Sequence, residues 1–476
     1  MLLLLVCLGG AVRVLTLRGE SVEGDELFSR RLALLPIQST LDSARNDLVH
    51  PPFYYLLLKA GTKIWGSSPL GIRVWSLLFG VATLPLVLAL GNHLPGSHNA
   101  GVLAAAMIAG NEYHIFYSQE ARSYSLYTFL VTLLALWVVA MTGERKPIRL
   151  SVGGFFLMAL LLYTHYVAIL YVFAIVIAIL VCNVPRRTKI SVALASVCAG
   201  VVFIPWIFAV TGVYRTKHGV GENLDWQGLP SLYDLKAIWA SSIGIMEFRG
   251  ATTLAFCVAA ALSVVALGLL SRRQSLRNAP VVVALSLAAI VPPLILFILS
   301  MRPFNLPLFG LRHLLPSIVA LCVLCCYGLE NLAARFERYM GLIFATGSSV
   351  LLMFTLVPTY AVIVHGPIRI PYEVVAKAVR LQIGDERQVY TTWPYGIGAP
   401  VNYYCGTNCV QPLPTEDTNL PEKIALLYRP EVLQEAKRFQ DLLKDGFAVG
   451  SNTYYTDGRQ SDFGTSVAVL TRGRHP

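Results

Sequence analysis

The chain has 476 residues, of which 55% are hydrophobic and only 14% charged, and its mean hydropathy is +0.60. A soluble enzyme would carry nearer about 25% charged residues, so the composition excludes that class and indicates a polytopic membrane protein. The formal charge of +11 is no sign of nucleic acid, because much of the excess sits in short loops where topology and anionic lipid account for it.

Apolar stretches fit to cross hydrocarbon occur at 2–17, 72–90, 100–117, 124–141, 150–163, 166–182, 190–210, 252–270, 281–300, 311–329 and 341–364. Since a span takes roughly 17 to 25 residues, they predict about eleven crossings. The short pair 150–163 and 166–182, joined by Thr164-His165, reads either as two crossings or as a tight hairpin. The first stretch lacks a basic leader and a small-residue cleavage site ahead of Arg18, so it reads as an anchor rather than a signal peptide.

Basic residues mark alternate loops: Arg145, Lys146 and Arg149; Arg186, Arg187 and Lys189; Arg272, Arg273 and Arg277; Arg335 and Arg338. These loops are expected in the cytoplasm by the positive-inside rule. Segments 18–71, 111–123, 212–250, 302–311 and the C-terminal tail then fall on the outer face of the cell (plasma or inner) membrane.

The first outer segment carries Glu20 and Glu23 ahead of Gly24-Asp25-Glu26. Residues 27–35 have the apolar spacing of an amphipathic helix on the membrane surface, with Arg30 and Arg31 placed to meet lipid phosphates. An acidic loop at a helix end is by itself an ordinary solvated feature. Its neighbour is less ordinary: in Asn46-Asp47-Leu48-Val49-His50-Pro51-Pro52-Phe53-Tyr54-Tyr55, two prolines fix the backbone just before a helix. A second outer segment, Ser118-Gln119-Glu120-Ala121-Arg122-Ser123-Tyr124, holds a carboxylate and a guanidinium two residues apart. It reads as a helix-end ion pair or as the planar donor that grips phosphate.

After residue 365 the apolar density falls. Helices are expected at 372–383 and 431–444, and strands at 388–392, 423–428, 447–455 and 465–471. Together they make a small extracytoplasmic α/β domain over 365–476, following a transmembrane domain over 1–364. Cys405 and Cys409 flank a glycine in an oxidising compartment and are a candidate disulfide. The other seven cysteines lie in apolar spans and read as small buried hydrophobes. The sequence holds no paired CxxC, Walker-type loop, GxGxxG or internal repeat.

The order Gly24-Asp25-Glu26, His50-Pro51-Pro52, Tyr117-Ser118-Gln119-Glu120-Ala121-Arg122, Tyr163-Thr164-His165-Tyr166 and Arg312-His313-Leu314-Leu315-Pro316 resembles the C superfamily of integral-membrane glycosyltransferases. Within it, the chain is similar to bacterial members of glycosyltransferase family 39 and to the group that includes lipid A aminoarabinose transferase. The resemblance runs over about residues 10–330 of the predicted bundle. It implies a mainly helical membrane fold and an outward-facing site. The implied reaction moves a hexose or pentose from a polyprenyl-phosphate carrier to an envelope acceptor, with inversion. By its position in the family's motif, Asp25, with Glu26 beside it, is the implied catalytic carboxylate, and a hydroxyl acceptor needs such a base. Arg122 and Arg312, with His50 and His313, are the candidates for holding the carrier phosphate. Glu120, Tyr54, Tyr124 and His165 are expected to line the site or meet the acceptor.

The chain departs from the pattern in reading Arg312-His313 where many members have Arg-Tyr, and it has no large insertion between late spans. Protein mannosylation thus ranks below modification of a glycolipid or polysaccharide. The expected partners are a polyprenyl-phosphate sugar, a glycan, lipid or protein acceptor and membrane lipid, with no nucleic acid. No cofactor is fixed by a motif; a divalent metal stays open, with Asp25, Glu26, Glu120 and His165 as its available ligands. A glycan ligase or polymerase shares the lipid-phosphate chemistry. A transporter fits less well, because its charges would lie at mid-span in two related halves.

Overall fold

The computed structural model describes residues 1–17, 20–143, 147–216, 229–244, 249–273, 278–304, 306, 308–365, 369–383, 388–406, 409–414, 420–430, 432–456 and 464–472. Arg145, Lys146 and Arg277, named above as topology signals, lie outside the described residues. The chain forms two compact units, one of Met1–Arg13 with Leu32–Thr359 and one of Val14–Arg31 with Tyr360–Pro476.

The first unit is helical. It contains most of α1 (Leu2–Thr16), the end of α2 (Gly24–Leu34), α3 (Ile37–Asp47), α4 (Phe53–Trp65), α5 (Pro69–Asn92), α6 (Ala100–Gly110), α7 (Glu112–Ser118) and α8 (Tyr124–Gly143). There follow α9 (Pro147–Thr164), α10 (Ala168–Val181), α11 (Arg186–Thr216), α12 (Leu232–Ser242), α13 (Arg249–Arg273), α14 (Pro280–Ser300), α15 (Leu315–Ala334) and most of α16 (Met340–His365). Among the described residues, six helices are long and apolar enough to span a membrane: Pro69–Asn92, Tyr124–Thr142, Arg186–Thr216, Pro280–Ser300, Leu311–Ala334 and Glu337–Tyr360. Five shorter apolar helices, Leu2–Thr16, Ala100–Gly110, Leu150–Thr164, Ala168–Val181 and Thr253–Ala266, fall on the remaining predicted segments.

Helix α15 is the core of this unit, with every residue from Leu315 to Leu329 buried. Its neighbours approach closely where side chains are small: a Cβ on Gly328 would lie 1.9 Å from the carbonyl oxygen of Leu262 on α13. Helix α11, by contrast, exposes Leu194, Val197, Val201, Ile204 and Phe208, a surface suited to hydrocarbon rather than water. Two local outcomes differ from the sequence reading. The expected single span 100–117 is two helices, because Asn111 leaves the helical backbone and its Oδ1 accepts from His114 N at 3.0 Å, starting α7 afresh. The expected outer loop 212–250 contains the helix α12, whose Ile238 and Ala240 are buried.

The second unit is built on a five-stranded sheet in the order β2-β1-β3-β5-β4, with β1 Gln388–Thr391, β2 Gln411–Pro412, β3 Lys423–Tyr428, β4 Phe447–Thr456 and β5 Gly464–Arg472. Strands β2, β1 and β3 are parallel; β5 runs antiparallel to both β3 and β4. Strand β3 reads as a nearly unbroken apolar run because both its faces are covered. Ala425 and Leu427 pack with Val375 and Val379 of α17 (Tyr372–Ile383) and with Val401 of α18 (Ala399–Cys405). Ile424, Leu426 and Tyr428 pack on the other face with Phe439 and Leu442 of α19 (Leu433–Lys444). The helices and strands read from the sequence after residue 365 are all present within a few residues of their expected bounds. The Cys405–Cys409 disulfide is not: both are free thiols, the thiol of Cys409 is hydrogen-bonded to Cys405, and Arg380 Nε donates to Cys405 Sγ at 3.3 Å.

Candidate active site

The carboxylate segment lies in the second unit. Helix α2 starts at Gly24, so Asp25 and Glu26 occupy its first turn, where the helix dipole favours negative charge. Glycine at 24 is a packing requirement, since a Cβ there would lie 2.2 Å from the carbonyl oxygen of Tyr395. The hydroxyl of Tyr404 accepts from Val22 N at 2.9 Å and holds the preceding turn.

Arg369 gathers three of the four acids. Its Nη1 donates to Glu26 Oε2 at 3.1 Å, its backbone N–H to Glu20 Oε2 at 3.1 Å, and its Nε lies 3.7 Å from Glu23 Oε1. Glu26 Oε2 also accepts from Glu23 N at 3.2 Å. Burial pushes the Glu23 carboxyl up to about 7; the Arg369 charge opposes this, and Glu26, Asp25 and Glu20 add to it. Glu26 and Arg369 are buried, whereas Asp25 is exposed. Glu26, read above beside Asp25 as a catalytic carboxylate, is therefore an ion-paired internal group here, and Asp25 is the one that faces solvent.

The arginine and histidine motifs meet in the first unit. His50 is buried after α3, just ahead of the two prolines that open α4. Its ring centroid lies 5.0 Å from that of His165 and 5.7 Å from that of Tyr124. His165 sits in the turn between α9 and α10, and its Nε2 lies 3.2 Å from Nδ1 of His313. His165 Nδ1 accepts from Val167 N at 3.2 Å, so that nitrogen bears no proton. Nε2 of His165 is then the donor to His313.

Tyr127 stacks on His165, with centroids 4.5 Å apart and planes 13° from parallel, and its hydroxyl donates to the backbone oxygen of His313 at 3.4 Å. Burial, then the charge of Arg122, depresses the His50 imidazole well below its ordinary value, with His165, His313 and Arg312 contributing further. Burial first, then Arg122 and Arg312, brings His165 down to about 3. Both rings are neutral near neutral pH; the His165 N–H is committed to His313, and His50 has an N–H to offer. Among the described residues, neither ring nitrogen of His50 has a hydrogen-bond partner, which is costly for a buried polar group unless a ligand supplies one.

The turn that carries Arg122 is held by α5. Ser76 Oγ donates to Arg122 O at 3.3 Å and bonds the Tyr54 hydroxyl at 2.9 Å. Gly80, one turn on, makes room for Ser118, whose Oγ would lie 2.1 Å from a Cβ there. Arg122 and Glu120 are both buried. Arg312 acts electrostatically on His50, His165 and Tyr113. The charges of Arg122 and Arg312 act on neutral imidazoles with aromatic walls, a setting that favours an anion with several oxygens.

His50, Tyr124, His165, His313 and Arg122 are thus brought together from four sequence segments. Tyr54 reaches Arg122 through two hydrogen bonds, by way of Ser76. Tyr127 was missed, although it lies three residues after Tyr124 and so on the same helix face. Arg369 was missed for want of any signal, being 343 positions from Glu26. Arg13 was also missed; its signal was a single charge within an apolar span. Asp25 and Glu26 lie in one unit and Glu120 and His165 in the other. Among the described residues no three His, Cys, Asp or Glu side chains converge as metal ligands.

The profile of a family described as dolichyl-phosphate-mannose-protein mannosyltransferase matches residues 49–210. An uncharacterised protein of Aquifex aeolicus is 31% identical over 97 residues, a match spanning 20% of this chain and 19% of that protein's length. The crystal structure of ArnT from Cupriavidus metallidurans bound to undecaprenyl phosphate aligns over 98% of this chain and 97% of its own, with a TM-score of 0.56 and 12% identity. Its apo state gives 0.57. The archaeal oligosaccharyltransferase AglB from Archaeoglobus fulgidus, in complex with an inhibitory peptide and a dolichol-phosphate, aligns over 99% of this chain and 74% of its own, with a TM-score of 0.53 and 12% identity. At that identity the likeness is one of fold. The chain shares the fold of these structures, helical with a small C-terminal sheet.

Proposed function

We propose that this protein transfers a sugar, with inversion, from a polyprenyl-phosphate carrier to a hydroxyl of an envelope acceptor at the outer face of the cell membrane. The observation that carries the reading is the buried set of His50, His165 and His313 under the charge of Arg122, itself buried, and of Arg312, which is half-buried. A phosphate monoanion or dianion answers both the charge and the unused imidazole donor of His50. A lipid-borne phosphate fits a chain of this hydropathy, and the fold is shared with an ArnT bound to undecaprenyl phosphate.

In the proposed step the acceptor oxygen attacks the anomeric carbon from the face opposite the phosphate. Its proton passes to the Asp25 carboxylate, and the bond from that carbon to the phosphate oxygen breaks, leaving polyprenyl phosphate. Charge grows on the departing phosphate, where fixed cations and N–H donors act most strongly in a site shielded from water. Arg122 and Arg312 supply the cations, and His50 supplies an N–H. Glu26 positions the turn through Arg369 and takes no proton from the acceptor.

The sugar is a hexose or pentose, and the acceptor is a glycolipid, polysaccharide or protein. The test is transfer by purified protein in lipid nanodiscs from a panel of radiolabelled polyprenyl-phosphate sugars to an envelope extract. Label that never leaves any donor would overturn the proposal. The likeness to AglB favours one second reading, the transfer of a whole glycan from a polyprenyl-diphosphate carrier. Thin-layer separation of products from the two donor types tells them apart.

A further inference from the structure

Arg13 is a cation within an apolar helix, and the proposed reaction assigns it no role. It is wholly buried. Each of its five N–H donors has one acceptor: Nε meets Ser118 Oγ at 3.2 Å, Nη1 meets Gly9 O at 2.8 Å and Ala109 O at 3.0 Å, and Nη2 meets Ile108 O at 3.2 Å and His114 Nδ1 at 2.8 Å. All five acceptors are neutral, so hydrogen bonds rather than an acid hold the guanidinium. The bond runs back as well, since Gln119 Nε2 donates to Arg13 O at 2.6 Å.

A buried charge is tolerated only when its geometry is nearly complete, and here the packing is cut to fit. A Cβ on Gly9 would lie 2.5 Å from Leu84 Cδ1, 3.3 Å from Ala109 Cβ and 3.4 Å from Arg13 Nη1. The acceptors also have a pattern. Ile108 and Ala109 end α6, where free carbonyls concentrate negative partial charge. His114 and Ser118 belong to α7, on the other side of the break at Asn111. Burial and the Arg13 charge hold His114 well below its ordinary value, so its Nδ1 can accept.

We propose that Arg13 is a positioning residue: it clamps the break between α6 and α7 and the Ser118-Gln119 step, and thereby sets Arg122 where it meets the donor phosphate. Its bonds to Ser118 and Gln119 reach the start of the turn, and Ser76 on α5 holds the end of it at Arg122 O. The inference rests on the phosphate reading of Arg122.

The test uses the full-length protein in nanodiscs, with a short-chain polyprenyl phosphate as probe and steady-state transfer as a second readout. R13M should weaken probe binding and raise the donor KM by about tenfold or more, as expected for loss of a charged hydrogen-bond set, and leave the acceptor KM unchanged. R13K, with the charge but three donors instead of five, should recover part of the loss. R13M added to R122A should weaken binding no further than R122A alone, because the clamp acts through that side chain. If R13M fails to insert, Q119A carries the same measurements, since it removes the return bond and leaves the Arg13 side chain in place. Wild-type affinity in a folded R13M or Q119A, or losses that simply add to those of R122A, would overturn the clamp. A wild-type protein that binds no polyprenyl phosphate would instead overturn the phosphate reading, and the clamp with it.

Discussion

Nη1 of Arg369 lies 3.1 Å from Oε2 of Glu26, with both side chains removed from solvent, while the preceding residue, Asp25, is exposed. Two adjacent carboxylates therefore have different work. D25N keeps the shape of the side chain but cannot take a proton, so turnover should fall by about 10² to 10⁴ with the melting profile and donor binding unchanged. E26Q should do the reverse first. It removes the nearer of two carboxylates paired with a buried guanidinium, which costs up to about 3 to 5 kcal/mol, read as a lowered unfolding temperature of the C-terminal unit. Wild-type turnover in D25N removes Asp25 from the mechanism.

The histidine cluster makes a prediction about acid. His165 is depressed from 6.5 to about 3, so between those values the unfolded chain binds a proton that the folded chain does not. Stability is then full above the unfolded value and is lost as pH falls toward the folded one. Melting temperature should decline as pH drops from about 6.5 toward 4, and H165Q should flatten that decline. Donor affinity should show no histidine step between about pH 6 and 8, because the rings are neutral throughout. A binding step near the ordinary histidine value would contradict the neutral cluster.

Arg122 and Arg312 should separate phosphate grip from simple structure. Alanine at either weakens donor binding and also slows the step in which phosphate leaves, since charge grows there. Lysine restores the charge without the planar fork and recovers only part of the loss. If Arg122 instead serves only to pair with Glu120, then E120Q and R122A will lower stability alike, and donor affinity per folded molecule will stay at the wild-type value.

Topology is checked with reporters. One active only outside the cytoplasm should be active when fused after Thr415 and silent at Lys146, because basic loops resist translocation; both positions lie outside the described residues. The opposite pattern would put the Asp25 segment inside the cell and favour a nucleotide-sugar donor.

Composition and hydropathy alone determined the membrane class, because apolar runs of this length have no other stable solvent. Strand β3 and helices α17 and α19 were legible for the same kind of reason: local apolar periodicity sets which face is buried. Asp25, His50, Arg122, His165 and His313 stood out because charged and polar groups beside apolar segments are costly and therefore few. What the sequence could not decide was which of them meet. The 3.2 Å contact between His165 and His313 joins residues 148 positions apart, and no local pattern encodes such a pairing. Nor did adjacency in sequence separate Asp25 from Glu26. Only the tertiary structure, by delivering Arg369 to Glu26, made Glu26 an internal ion pair, while Asp25 faces solvent. Arg13 was visible as a lone charge in an apolar helix, but its five acceptors come from three helices, α1, α6 and α7, and long-range packing alone assembled them.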